Sequence, residues 1–370
     1  MIHFVVRKAA EWSIETYLAS WGEPLASDID TLCYENLSRM RDLPLGSYIF
    51  TERDGLLPSE LELTASVAEQ LSLEPGVRVL NHPARVLGRY DLLRTLHQRG
   101  LNDFGAVRAT ESTRDLRFPV FVREERLHTG SLTDPIHTPS ELDRELAILF
   151  ARGWRRQDLL VVEYCDTADS RGVFHKYSAF VVAEEIIPRS LLFSKSWMVK
   201  GGTKSLDEEA ARAEFEYVES NPHASWLREV FAAAHVGYGR VDYALMGDRP
   251  QVWEINLCPT VVVRDRKPKP GLEGIEDLRR PGRALFFQRF EAALKSIDTG
   301  SPPGGRVGIA VSETLLRALR ADQRRERTRT FHHRVAKELS GWRILHFIWR
   351  GIRPLAAWIA SVAAKVSRPR

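Results

Sequence analysis

The sequence is poor in sulfur, with three cysteines and four methionines in 370 residues. Cys33, Cys165 and Cys258 are odd in number and far apart, which argues against a disulfide framework and offers no metal-type Cys spacing. A reducing, cytoplasmic setting is the expectation. Long uncharged runs are missing as well. The one near the C-terminus, Pro354 to Ala364, is about half of the roughly 20 residues a membrane span needs. The first residues lack a signal peptide's apolar centre, because Val5-Val6 runs directly into Arg7-Lys8. No internal repeat is visible.

What is present suits a globular protein. Apolar residues make up 44% and charged residues 28%, so the chain can bury an interior, and its length predicts two or three packed units. The net charge of +4 hides an asymmetry: residues 301–370 hold fifteen Lys and Arg against four Asp and Glu, so the first 300 residues are mildly acidic. The basic character belongs to the tail and says nothing about what the body binds.

Along the body, strands and helices alternate. Ile2–Val6, Ser47–Thr51 and Val77–Leu80 read as strands and Ile14–Trp21 and Ser59–Leu71 as helices, a small parallel α/β layer. After Pro83, residues from Arg85 to His97 carry Val86, Tyr90, Leu93 and Leu96 on one helical face. Phe118–Val122 and Leu159–Tyr164 are strands. Thr138-Pro139-Ser140-Glu141 has capping-box chemistry for a helix to about Ala151. Tyr177–Val182 is a further strand, Ser205-Leu206-Asp207-Glu208 opens a charged helix to Val218, and another helix covers Pro222 to His235. Thr299 to Gly305 reads as a linker before a basic, aromatic end with Trp342, Phe347, Trp349 and Trp358.

The most informative segment is Gly239-Arg240-Val241-Asp242-Tyr243, then Gly247-Asp248-Arg249-Pro250, then Trp253-Glu254-Ile255-Asn256. The middle is turn chemistry, so the flanks predict an antiparallel hairpin. A turn centred on Asp248 places Asp242 opposite Glu254 and Arg240 opposite Asn256. Those four share one face, while Val241, Tyr243, Trp253 and Ile255 pack on the other. Two carboxylates facing across a hairpin repel each other unless a cation lies between them. Two carboxylates and an amide carbonyl form an oxygen-only donor set suited to Mg²⁺ or Mn²⁺. The other reading of the same spacing is a solvated polar face.

Val-Asp-Tyr followed by Trp-Glu-Ile-Asn-Leu-Cys-Pro resembles the metal-binding end of the ATP-grasp superfamily, and the upstream order agrees. Arg89-Tyr90-Asp91 resembles the helix preceding its nucleotide-binding subdomain. Phe118 to Arg123 looks like the strand that delivers a cation to phosphates, and Leu159 to Tyr164 like the hinge strand whose Glu holds adenine. Lys176 to Val182 and Ile187-Pro188-Arg189 look like the strands that follow. The resemblance covers Pro83 to Phe290. It implies an α/β (α+β) chain with a pre-ATP-grasp domain at 1–83, a two-subdomain ATP-grasp fold at 84–298, and a linker with a basic helical tail at 299–370. It further implies ATP held by Arg89, Arg123, Glu163 and Lys176, a metal held by Asp242, Glu254 and Asn256, and catalytic roles for Arg240 and Lys200. The activity implied is an ATP- and Mg-dependent ligase that activates a substrate carboxylate as an acyl phosphate for an amine or similar nucleophile.

Three positions depart from the family's pattern. Arg123 replaces the usual Lys, although a guanidinium also grips phosphate. Gly130 is the sole glycine of the expected flap, where His128, Thr129 and Ser131 would have to substitute. Lys176 stands where relatives often carry an acid. These departures keep open a nucleotide-binding regulatory or phosphoryl-transfer protein without ligase turnover. For the tail, the expected contact is an anionic membrane face or a protein partner, and nucleic acid is not favoured, because aromatic and aliphatic residues cluster with the charge. Cys258 reads as a small buried hydrophobe, since no His stands in its motif.

Overall fold

Strand β1 (Ile2–Val6) is buried at every position, the pattern of a strand covered on both faces. The computed structural model describes residues 1–126, 130–199, 204–205, 207–262, 273–302 and 304–340. From β1 the chain passes through α1 (Trp12–Leu18), β2 (Ile29–Cys33), α2 (Tyr34–Leu37), β3 (Asp42–Pro44), β4 (Ser47–Phe50), α3 (Pro58–Ser72) and β5 (Arg78–Leu80). The sheet order is β2-β1-β4-β5, and every pairing is parallel. The sequence reading anticipated this layer but missed β2, the edge strand Ile-Asp-Thr-Leu-Cys, in which only Ile29 and Leu32 are buried.

A second layer follows: α4 (Arg89–Gln98), β6 (Ala106–Arg108), β7 (Val120–Glu124), α5 (Pro139–Ala151) and β8 (Leu159–Glu163), with the antiparallel order β6-β8-β7. Helix α4 starts four residues later than the apolar spacing implied, with Gly88 at its N-cap. A Cβ at 88 would meet the side-chain tips of Arg53 and Asp54, which lie against the helix start. Helix α5 begins as predicted, with Thr138 Oγ1 accepting from the Glu141 amide. It packs Leu142 and Leu149 against Val120, Val122, Leu159 and Val161.

The third layer contains β9 (Phe174–Val182), β10 (Glu185–Ser194), β11 (Lys204–Ser205), α6 (Glu208–Ser220), α7 (Ala224–Ala234), β12 (Tyr238–Met246), β13 (Arg249–Asn256) and α8 (Glu273–Ile297). The antiparallel order is β11-β10-β9-β12-β13. Ser205 does not open α6; it pairs with Phe193 in β11, and Asp207 caps the helix through the Ala210 amide. Ala179, Val181, Val241 and Tyr243 pack with Tyr217, Leu227 and Phe231 of α6 and α7. On the opposite face Phe180 meets Phe286 and Phe290 of α8, in one core with Ile2 and Phe4 of the first layer. Two residues earlier in β9 that face turns polar, with Ser178 beside Asp242.

Residues 1–83 and 84–298 lie within one compact unit, residues 1–316. The stretch after Thr299 is no simple linker, because β14 (Arg306–Gly308) returns to pair antiparallel with β3, and Leu45 N donates to Gly305 O. Helix α9 (Glu313–Ser340) runs on into the second unit, residues 317–370. Among the described residues no helix is long and apolar enough to cross a membrane. Trp342, Phe347, Trp349 and Trp358 lie outside the described residues.

Candidate functional site

The β12–β13 hairpin pairs Arg240 with Asn256, Val241 with Ile255 and Asp242 with Glu254, the register expected from its residues. It arrives there by two departures that cancel. The loop is only Gly247-Asp248, closed by Met246 opposite Arg249, with Gly247 at φ +60°. Tyr243 then faces Val252, so Trp253 is an extra residue, a bulge. One expectation fails as a result. Trp253 does not join Val241, Tyr243 and Ile255; Val252 takes that buried place, and Trp253 stacks on Phe104 with ring centroids 5.6 Å apart.

Each facing carboxylate is held by two cations. Asp242 accepts from Arg240 Nε at 2.9 Å and from Lys176 Nζ at 3.2 Å. Glu254 Oε2 accepts from Arg89 Nη2 at 2.8 Å and Arg123 Nη2 at 2.9 Å. The Arg89 and Arg123 side chains are only 2% and 7% exposed. Burial, then the neighbouring Arg89 charge, pulls the Arg123 pKa down, and Glu254 opposes both. Arg89 Nη1 also donates to the carbonyl of Glu125 at 2.6 Å, tying the start of α4 to the end of β7.

Four cations against two carboxylates leave a formal excess of two positive charges on one face. The third expected metal donor, Asn256 Oδ1, accepts from the Cys258 amide at 3.0 Å. Among the described residues no three His, Cys, Asp or Glu side chains gather as a metal cluster; the oxygen set here is two carboxylates and an amide. Next to it a small cleft of about 20 Å³ is lined by Arg53, Asp54, Arg89, Leu92, Glu254 and Leu257. Arg53 and Asp54 escaped the sequence reading, because only the fold brings the loop after β4 to the hairpin.

Glu163 is buried at the end of β8. Its oxygens accept from the Gly105 amide at 2.9 Å and from the Arg117 amide at 2.7 Å and Nη2 at 2.7 Å. Burial alone would raise this carboxyl's pKa, but Arg117 and the two amides outweigh it, and the net displacement is downward. A depressed carboxyl contributes stability above its unfolded pKa of about 4.3 and loses it as pH falls through the folded value. Glu163→Gln should therefore unfold at lower temperature than the parent at pH 7, and the gap should close toward pH 3. Melting curves across that range check it; parallel curves would refute the assignment.

Beside Glu163, the Trp197 ring lies 5.3 Å from Phe121 and 5.6 Å from Tyr164, and Cys165 Sγ is 3.3 Å from Met246 Sδ. This apolar cluster joins β7 and β8 to the end of β12. Lys195 Nζ donates to Arg171 O, and of the other expected residues Ser131 Oγ donates to Val122 O and Arg189 stands over the rings of Phe286 and Phe287. Burial lowers the Arg189 pKa to about 10 and raises that of the Cys258 thiol to about 11, which suits a packed hydrophobe rather than a nucleophile. Lys200, His128 and Thr129 lie outside the described residues.

No family model matches the chain, and no curated protein matches it. Solved structures do. D-alanine–D-alanine ligase from Bacillus anthracis is 14% identical, with 80% of this chain and 97% of that one covered and a TM-score of 0.46. An L-amino acid ligase from Bacillus licheniformis is 14% identical over 80% of this chain and 74% of that one, with a TM-score of 0.38. The macrocyclase MdnC bound with precursor peptide MdnA from Microcystis aeruginosa is 13% identical over 77% and 99%, with a TM-score of 0.42. What the site can do rests on the hairpin and its four cations.

Proposed function

We propose that the chain is an ATP-grasp ligase: it binds a nucleoside triphosphate with a divalent metal between β7–β8 and the β12–β13 hairpin, and activates a substrate carboxylate for attack by an amine or similar nucleophile. The observation that carries this reading is the two-charge excess on the hairpin face. A bare divalent cation fits such a face poorly, since four cations repel it. A metal–triphosphate complex, with an opposite excess, would balance it. Arg123 and Lys176 would meet phosphate oxygens, and Arg240 would orient the carboxylate or the transferring phosphoryl group. Asp242, Glu254 and Asn256 would hold the metal, whose contribution is to draw charge from the phosphates. The protein's own task is positioning and charge stabilisation. The apolar cluster of Trp197, Phe121, Tyr164 and Met246, beside Glu163, would receive the base.

Two measurements test this. Mn²⁺ titrated alone should show no millimolar-range binding, whereas Mn²⁺ with ATP should bind and quench Trp197 fluorescence; equal Mn²⁺ affinity with and without ATP would sink the charge argument. Release of ADP on adding a pool of carboxylates and amines should then identify turnover.

A second reading, nucleotide binding without ligase turnover, is favoured by one observation. All three expected metal donors already accept hydrogen bonds from groups of the protein itself. Tight ATP binding with no ADP release under any substrate pool would decide for it.

A further inference from the structure

Residues 102 to 104, the loop between α4 and β6, meet the bulge of β13 one residue at a time. Asn102 is buried, and its side-chain amide treats Val252 as a neighbouring strand would: Nδ2 donates to Val252 O at 2.8 Å and Oδ1 accepts from Val252 N at 2.9 Å. Asp103 pairs with Gln251, its amide donating to Oε1 at 2.8 Å and its Oδ2 accepting from Nε2 at 2.7 Å. Phe104 stacks on Trp253, the bulged residue. The next residue, Gly105, donates to Glu163 at 2.9 Å. β13 is the edge of its sheet, so without Asn102 the N–H and C=O of Val252, a fully buried residue, would lose these partners.

The bulge matters because strand side chains alternate. If the pairing from the turn continued unbroken, Tyr243–Val252 would lead to Asp242–Trp253 and Val241–Glu254. Glu254 would then point to the buried face with Val241, away from Asp242. One extra residue restores it. We propose that Asn102 is a positioning residue that pins this bulge, and so holds Glu254 opposite Asp242 and within reach of Arg89 and Arg123. Asp103 and Phe104 extend the same grip, and Gly105 links it to the β8 end where the base is proposed to lie. The functional consequence rests on the proposed metal–triphosphate reading of that face; the register does not.

The experiment therefore reads the register directly. In a Cys258→Ala background, Asp242→Cys with Glu254→Cys should form a disulfide under mild oxidation, detected by peptide mass. Adding Asn102→Ala should lower its yield at least fivefold. The matched control is Asn81→Ala. Asn81 also ties buried backbone, donating to Phe50 O and Tyr238 O and accepting from Tyr238 N, but lies away from the bulge. This control should lose stability and keep the disulfide. Equal yields in the Asn102→Ala and Asn81→Ala proteins would overturn the proposal, whatever the protein does with nucleotides. With the native carboxylates, Asn102→Ala should also weaken Mn²⁺–ATP binding about tenfold, and Asn81→Ala should leave it within twofold.

Discussion

Glu254→Gln should destabilise the protein by about 3 kcal/mol at pH 7, the loss typical of one partner removed from a buried ion pair. The reason is specific to this carboxylate. It is the shared counter-charge of Arg89 and Arg123, whose side chains are almost wholly out of solvent. The neutral amide leaves two guanidinium groups facing each other. Urea unfolding gives the number, and inorganic phosphate should recover more stability in the variant than in the parent, because an added anion replaces the missing charge. An unchanged urea midpoint would mean that the carbonyls of Glu124 and Glu125, which Arg89 also reaches, suffice for both cations.

Asp242→Asn should behave oppositely. Its partners Lys176 and Arg240 are 28% and 23% exposed, so solvent replaces much of what the carboxylate supplies and the urea midpoint should move little. On the proposed reading, phosphate release should fall by about 10²–10³-fold, the scale seen when one preorganised charge-stabilising group is lost. Phosphate release at the parent rate with added Mg²⁺ would remove Asp242 from the metal set. On the proposed reading the pair of variants separates two jobs on one face: Glu254 would hold the fold and the site together, whereas Asp242 would serve the site.

Much of this face was legible in the sequence. Asp242 and Glu254 announce themselves because alternation and turn residues are local rules, and the parallel first layer and α5 followed from apolar runs and a capping box. The register was reached from an assumption of perfect symmetry, and it stands only because a shorter turn and a bulge offset one another. Nothing local marks Trp253 as the bulged residue; its partner Phe104 is remote in sequence. Arg89 was anticipated, but its pairing with Glu254 could not be, since that contact spans 165 residues. The return of Arg306–Gly308 to the first layer was hidden for the same reason, within a stretch whose Gly and Pro content reads as linker.

The sequence alone determined most of the strands and helices that carry the site, the acidic body with its basic tail, and which side chains carry oxygen and positive charge on the hairpin, because each depends on residues within one strand or helix. Only the tertiary structure decided that Arg89, Arg123 and Lys176 converge there, that Asn102 grips the bulge, and that the first layer shares a core with the central sheet. Such contacts are chosen by the burial of whole faces and the pairing of distant charges, and no window along the chain contains both partners.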